Sequence, residues 1–210
     1  MKNIAWIIAV LGAIIFLIWY FFSKASPQSA PISKNVETIN TNKEGTLEKI
    51  PAQQTPTLVP FSITSPAFSM NESIPVRFTC DGENISPELV ISGTPERTQS
   101  LVLTLEDPDV PKNIRADGMW DHWIIWNIPP NTTRLKESAV PPGILGTGTN
   151  GKTSYLGPCP PDREHRYIFT LYALDTSISL PKGSKKEQLL RAMDSHIIKQ
   201  TNLIGHYNRN

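Results

Sequence analysis

The sequence predicts a mostly-β Greek-key sandwich with a C-terminal helix, preceded by an N-terminal transmembrane helix and a flexible linker. Three observations carry this reading. A long apolar run opens the chain, and the stretch after it has no sustained apolar period. From Phe61 onward, short alternating or β-branched runs are separated by Pro and Gly, and only one late segment shows helical spacing.

Residues 1–23 are read as the membrane anchor. Ile4 to Phe22 are uncharged and almost wholly apolar, between Lys2 and Lys24. About 20 such residues let a helix cross the hydrocarbon core. Trp6, Trp19 and Tyr20 lie near the ends, where amphipathic rings suit the interface. A cleaved leader has a shorter apolar core and a small-x-small end. This run ends Trp19-Tyr20-Phe21-Phe22, and Ser23, Ala25 and Ser26 offer only a weak cleavage pattern, so the retained anchor is the preferred reading. The short N-terminal flank stays inside, which makes the rest of the chain extracytoplasmic. Residues 24–60 are rich in Ser, Thr, Asn, Gln, Lys and Pro and read as a disordered linker. As a random coil it spans about 30–35 Å on average.

Residues 61–210 are one domain, long enough for a good core. Leu101, Leu103 and Leu105 alternate with Val102, Thr104 and Glu106 as in a strand. Trp120 to Asn127 is rich in aromatic and β-branched residues and forms a second. Tyr167 to Leu174 is a third, and central, because both of its faces are largely apolar. Ile74 to Cys80 and Leu89 to Ser92 are weaker strand candidates. The helix starts at a capping box of Ser184 and Glu187. Leu189, Leu190, Met193, Ile197 and Ile198 continue it at helical spacing, and Gly205 lies just past its end.

The charge balance excludes one class of partner. The whole chain carries a formal +1, and residues 61–210 are close to neutral, with no basic stripe for nucleic acid. Cys80 and Cys159 do not have zinc-site spacing. Outside the cytoplasm two cysteines can pair; the alternative is two buried thiols, and the sequence leaves both open.

Three short segments suggest chemistry. Asp107-Pro108-Asp109-Val110-Pro111 follows a strand and makes a stiff turn with two carboxylates; taken alone, it reads as a turn whose Asp side chains bond the backbone. In Trp120-Asp121-His122-Trp123, strand alternation puts Trp120, His122, Ile124 and Trp126 on one face, so His122 is at least half buried. Gly157-Pro158-Cys159-Pro160-Pro161 is a rigid loop. His165 and Tyr167 follow it, two apart, and point the same way.

These segments, in this order and with Phe78-Thr79-Cys80-Asp81-Gly82, Asn84, Ser86 and Pro87, resemble the phosphatidylethanolamine-binding protein family, most of all its bacterial Raf-kinase-inhibitor-like branch. The likeness covers about residues 61–207. It implies a β-sandwich with a small surface pocket for phosphate-like head groups. Asp107, His122, His165 and Tyr167 fall on the pocket positions, Asp109 on the second acid of the same loop, and Pro158, Cys159 and Pro160 on the rim. Two positions depart from many eukaryotic members: Asp121 where they carry a second His, and Cys159 where they carry Gly.

The expected function is therefore non-enzymatic binding of phosphate-like or phospholipid head-group anions, with inhibition or regulation of an unnamed partner enzyme as its outward use. Two imidazoles and a phenol supply donors to an anionic oxygen. Asp107 would hold a His in its charged form; accepting from a protonated phosphate or bonding a ligand ammonium are its other roles. No cofactor and no metal are expected. The alternatives are a hydrolase using a His/Asp pair, a metal site on His122, His165 and Asp107, and a protein-interaction domain with a vestigial pocket.

Overall fold

The computed structural model of the chain describes residues 59–209. The predicted anchor and nearly all of the predicted linker lie outside them. No helix among the described residues is long and apolar enough to cross a membrane.

The described chain forms nine strands and one α-helix. In order these are β1 (Ser62–Thr64), β2 (Glu72–Ser73), β3 (Leu89–Ser92), β4 (Ser100–Asp107), β5 (Trp120–Ile128), β6 (Arg134–Leu135), β7 (Ile144–Leu145), β8 (His165–Leu174), α1 (Lys186–Met193) and β9 (Ile197–Tyr207). A small sheet has the order β1-β3-β6, and a large one the order β2-β9-β8-β4-β5-β7. The three strongest strand expectations appear as β4, β5 and β8, and Leu89–Ser92 as β3.

The large sheet is apolar on both faces, and the two faces do different work. Leu101, Leu103 and Leu105 of β4 join Phe169 and Leu171 of β8 between the sheets, against Ile63, Leu89, Ile91 and Leu135 of the small one. On the opposite face Val102, Ile124, Trp126 and Leu174 are covered by Leu189 and Met193 of α1. β8 pairs with β4 on one side and β9 on the other, which makes it central.

The helix departs from its sequence pattern at both ends. Its cap is one residue later than expected: the Lys185 N–H donates to Gln188 Oε1 at 3.0 Å, while the Ser184 hydroxyl turns back to Pro181 O. It stops at Met193. Ile197 and Ile198 belong to β9, the last element, which runs antiparallel along β8 and would otherwise leave that strand's edge unpaired. Gly205 is inside β9 rather than past a helix end, because a Cβ there would stand 2.5 Å from Ile74 Cγ1. The strand expected over Ile74 to Cys80 is also corrected. Pro75 starts a single 3-10 turn over Val76–Phe78, closed by the Phe78 N–H to Pro75 O at 3.0 Å and the Thr79 hydroxyl to Val76 O at 2.8 Å.

A bulge in β5 overturns the one-face reading of Trp120, His122, Ile124 and Trp126. Leu105 pairs with Trp123 and Glu106 with Asp121, so His122 is an extra residue and the alternation changes phase there. Ile124 and Trp126 face α1, as do Glu106 and Asp121, which both pair with the Lys186 ammonium. His122 lies on the other side, in edge contact with the Tyr167 ring. Burial alone would lower the Lys186 pKa, but the Glu106 and Asp121 carboxylates outweigh it and raise it.

Cys80 and Cys159 are joined as a disulfide, with their Cα atoms 5.4 Å apart. It closes a loop between residues 79 apart in sequence, for which chain entropy gives about 4.5 kcal/mol. Urea unfolding with and without a dithiol reductant is expected to show a loss of that order. Lys186→Met leaves two carboxylates near one another without their cation. An unfolding titration is expected to show a loss of about 3 kcal/mol at neutral pH, with part recovered by a second change, Asp121→Asn.

Candidate functional site

The site begins where β4 ends. Pro108 follows Asp107, has no N–H for the ladder and closes the strand. Asp107 Oδ1 then accepts the Asp109 N–H at 2.8 Å, the backbone-bonded turn that the local sequence suggests. Its other oxygen, Oδ2, accepts from His165 Nδ1 at 2.7 Å. His165 Nε2 in turn donates to Asp162 Oδ1 at 2.9 Å. Both His165 nitrogens are therefore engaged, none is left for a ligand, and the ring is fully buried.

Asp109 turns outward. It accepts a fork from Arg166, at 2.8 Å from Nε and 2.7 Å from Nη2, and also the Arg166 backbone N–H. That guanidinium lowers the Asp109 carboxyl to about 2. The pair locks the 107–111 turn to the start of β8 and does not face a ligand.

His122 has a different environment. Its Nδ1–H donates to Leu156 O at 2.9 Å, which fixes the tautomer and leaves Nε2 with no hydrogen bond to the described residues. Burial depresses its pKa to about 4, more than the Leu156 carbonyl and the Asp107 charge restore. It is therefore a neutral imidazole at pH 7, with one ring nitrogen available as an acceptor. Tyr167 packs against it, ring centroids 5.3 Å apart. The Tyr167 hydroxyl is buried without a hydrogen-bond partner, and burial first, then the Asp107 charge, push its pKa up.

The carbonyl that positions His122 sits on a loop held at four points. The Gly157 N–H donates to Asn84 Oδ1 at 2.7 Å, the Cys80 N–H to Pro158 O at 3.0 Å, and the Tyr155 hydroxyl to Phe78 O at 2.8 Å. The disulfide is the fourth tie. Gly157 is required here because a Cβ would lie 2.3 Å from Phe78 O.

A pocket of about 340 Å3 opens over Asp107 and His122, its only two ionisable side chains. Val110, Ile114, Trp120, Leu156, Pro161 and the Cys80–Cys159 disulfide complete its lining. Of the expected site residues, Asp107, His122 and Cys159 line it. His165 and Tyr167 stand behind it, Asp109 is engaged by Arg166, and Pro158 and Pro160 are not in its walls. Asp162, Leu156 and Ile114 were not picked out from the sequence, and Pro161 was read only as part of the rigid loop. Leu156 directly precedes the Gly-Pro loop, which was the available signal; Ile114 and Asp162 carry none, since isolated Ile and Asp residues in turns are ordinary.

With this geometry in place, comparison with known proteins is informative. The profile described as phosphatidylethanolamine-binding protein matches residues 64–208. The chain belongs to that family. Over 147 residues it is 47% identical to a UPF0098 protein of Chlamydia pneumoniae, covering 70% of this chain and 98% of the other. Among solved structures it is similar to a phosphatidylethanolamine-binding protein homologue, CT736 of Chlamydia trachomatis. That match has a TM-score of 0.70 and 47% identity, covering 71% of this chain and 98% of the other. It is also similar to YbcL of E. coli, described as a member of the mammalian PEBP family, with a TM-score of 0.65 and 30% identity, covering 71% and 99% of the two chains. Fold and family membership therefore extend over the β domain, not over the predicted anchor.

Within this phosphatidylethanolamine-binding fold, the depressed His122 pKa has a thermodynamic consequence. An unfolded His titrates near 6.5, whereas the folded one titrates near 4. Between those values the unfolded chain binds more protons. The stability from keeping His122 neutral is thus complete above pH 6.5 and lost as pH falls towards 4, by up to roughly 3 kcal/mol. Urea unfolding across this window is expected to show that decline, and His122→Gln is expected to flatten it.

Proposed function

We propose that the domain is a non-enzymatic binding module for a small ligand with a phosphate-like or phospholipid head group, held extracytoplasmically by the N-terminal segment predicted to anchor it. One observation carries this reading. The pocket places a carboxylate, Asp107, with one hydrogen bond on each oxygen, beside an imidazole, His122, that keeps one ring nitrogen unengaged. The head group meets His122 Nε2.

Because His122 is neutral, an anionic head enters together with a proton. A singly protonated phosphate brings its own O–H to Nε2, and a phosphoethanolamine can bring an ammonium N–H. At lower pH the imidazole takes the proton and donates to the anion. Binding without turnover is favoured by what lines the pocket. It offers no Ser, Thr or Lys as a nucleophile, and its two cysteines are joined to each other. Both His165 nitrogens serve carboxylates, which removes that ring as a general base. Inhibition or regulation of a partner enzyme by the loaded domain is the outward use that the family resemblance suggests.

The test is an NMR titration of the full chain labelled at its four histidines, with inorganic phosphate and phosphoethanolamine. His122 is expected to shift saturably and His165 to stay in place. Affinity for phosphoethanolamine, a monoester with a second pKa of about 6, is expected to rise by about eight-fold as pH falls from 7 to 5.5, because the form that brings a proton to His122 becomes the main one in solution. Unmoved His122 signals with either ligand at millimolar concentration, at both pH values, would sink the head-group reading and leave a protein-interaction domain.

A further inference from the structure

The core between the two sheets is not closed everywhere. Ile85, Leu145 and Tyr155 pack against it and are only partly buried. They line a second pocket, of about 400 Å3, which shares no side chain with the one over Asp107 and His122. Val140 lines it too and is 88% exposed.

The polar groups of this pocket are uncharged. No Lys, Arg, His, Asp or Glu is in its lining. The Tyr155 hydroxyl donates to Phe78 O at 2.8 Å, and burial pushes its pKa up, so it stays neutral. Asn84 gives its oxygen to the Gly157 N–H at 2.7 Å and keeps its amide N–H groups. Ser86 is 5% exposed. Its carbonyl accepts the Ser138 N–H, but its hydroxyl has no hydrogen bond to the described residues. The Trp123 indole N–H, on a side chain that is 4% exposed, has none either. Polar groups on side chains this deeply buried are ordinarily paired. Two that line one pocket and lack partners point to an occupant.

The lining also defines the chemistry of that occupant. An ionised ligand would lose its water against apolar side chains and find no counter-charge in the lining. The indole can only donate, and the Ser86 hydroxyl can donate or accept. Both are served by an uncharged oxygen acceptor. An apolar body then removes Ile85, Val140 and Leu145 from water. At about 30 Å3 per water, a pocket of about 400 Å3 holds roughly thirteen waters, room for a ligand of about ten non-hydrogen atoms.

We infer that this pocket is a second ligand site, for an uncharged small molecule whose carbonyl or hydroxyl oxygen accepts from Ser86 and Trp123 and whose apolar body lies on Ile85, Val140 and Leu145. It goes beyond the head-group reading and does not depend on it.

The test uses the full chain with labelled tryptophan side chains and three probes that share one ring: N-cyclohexylacetamide, cyclohexylacetate and cyclohexylmethylammonium. Trp123 reports this pocket and Trp120 the first one. At millimolar concentration N-cyclohexylacetamide is expected to shift the Trp123 indole N–H saturably and to bind at least ten-fold more tightly than either ion. Ser86→Ala is expected to weaken it by about five-fold. Val140→Ser, at an exposed position where replacement leaves folding intact, is expected to weaken it by about three-fold. An unmoved Trp123 signal, or a shift at Trp120 alone, overturns the second site. Either ion binding as tightly as the amide overturns the uncharged class. Unaltered affinity in either variant, with the rest of the spectrum unchanged, overturns the contacts assigned here. Phosphoethanolamine failing to move His122 leaves all of these outcomes in place, so the two readings fall separately.

Discussion

Between Leu105 and Glu106 the pairing of β4 with β5 skips a residue, and the residue skipped is His122. Regular alternation would have sent His122 to the same face as Ile124 and Trp126, under α1. The extra residue instead puts Asp121 on that face, where it shares the Lys186 ammonium with Glu106. His122 goes to the side of Asp107 and the pocket. Helix docking and site geometry are therefore two results of one irregularity. The ion triad on one side of the strand resists any slip that would restore alternation, because a slip would bury Asp121 away from its cation.

Asp107 is held by the rest of the site as much as it shapes it. A carboxylate that is 3% exposed must have its lone pairs satisfied, and the Asp109 N–H and the His165 ring do so from two directions. His165 is itself stabilised by Asp162. The result is a chain of charge-assisted bonds from Asp162 through His165 to Asp107 that ties the 107–111 turn to β8. The Asp109–Arg166 fork fastens the same two elements from outside. Of the four groups that the motif brings together, Asp107 and His165 are engaged with each other, while His122 Nε2 and the Tyr167 hydroxyl have no hydrogen-bond partner among the described residues.

The second structural theme is a loop made stiff from its sequence. Residues 157–161 hold three prolines and one glycine, so they have few N–H groups and little backbone freedom. The disulfide, the Asn84 amide and the Cys80 N–H anchor them to the 78–84 segment. What that stiffness secures is the Leu156 carbonyl directly ahead of the loop, which sets the His122 tautomer and so decides which ring nitrogen meets the pocket.

The sequence by itself determined the mostly-β character, the three long strands, and the association of Asp107, His122, His165 and Tyr167 with one region. Local alternation, Pro and Gly punctuation and the family motifs are all readable along the chain. The capping pattern located α1 to within a residue, but spacing alone carried the helix past Met193. Ile197 and Ile198 fit a helix and a strand equally well, and the unpaired edge of β8, a long-range partner, resolves that ambiguity. The phase of His122 was out of reach for the same reason, since a bulge is a property of two paired strands and leaves no mark on one. Which of the clustered polar groups keep an unused hydrogen-bonding atom was likewise decided only by the tertiary structure. That depends on Asp162 and Leu156 arriving from another segment to take the nitrogens of His165 and His122.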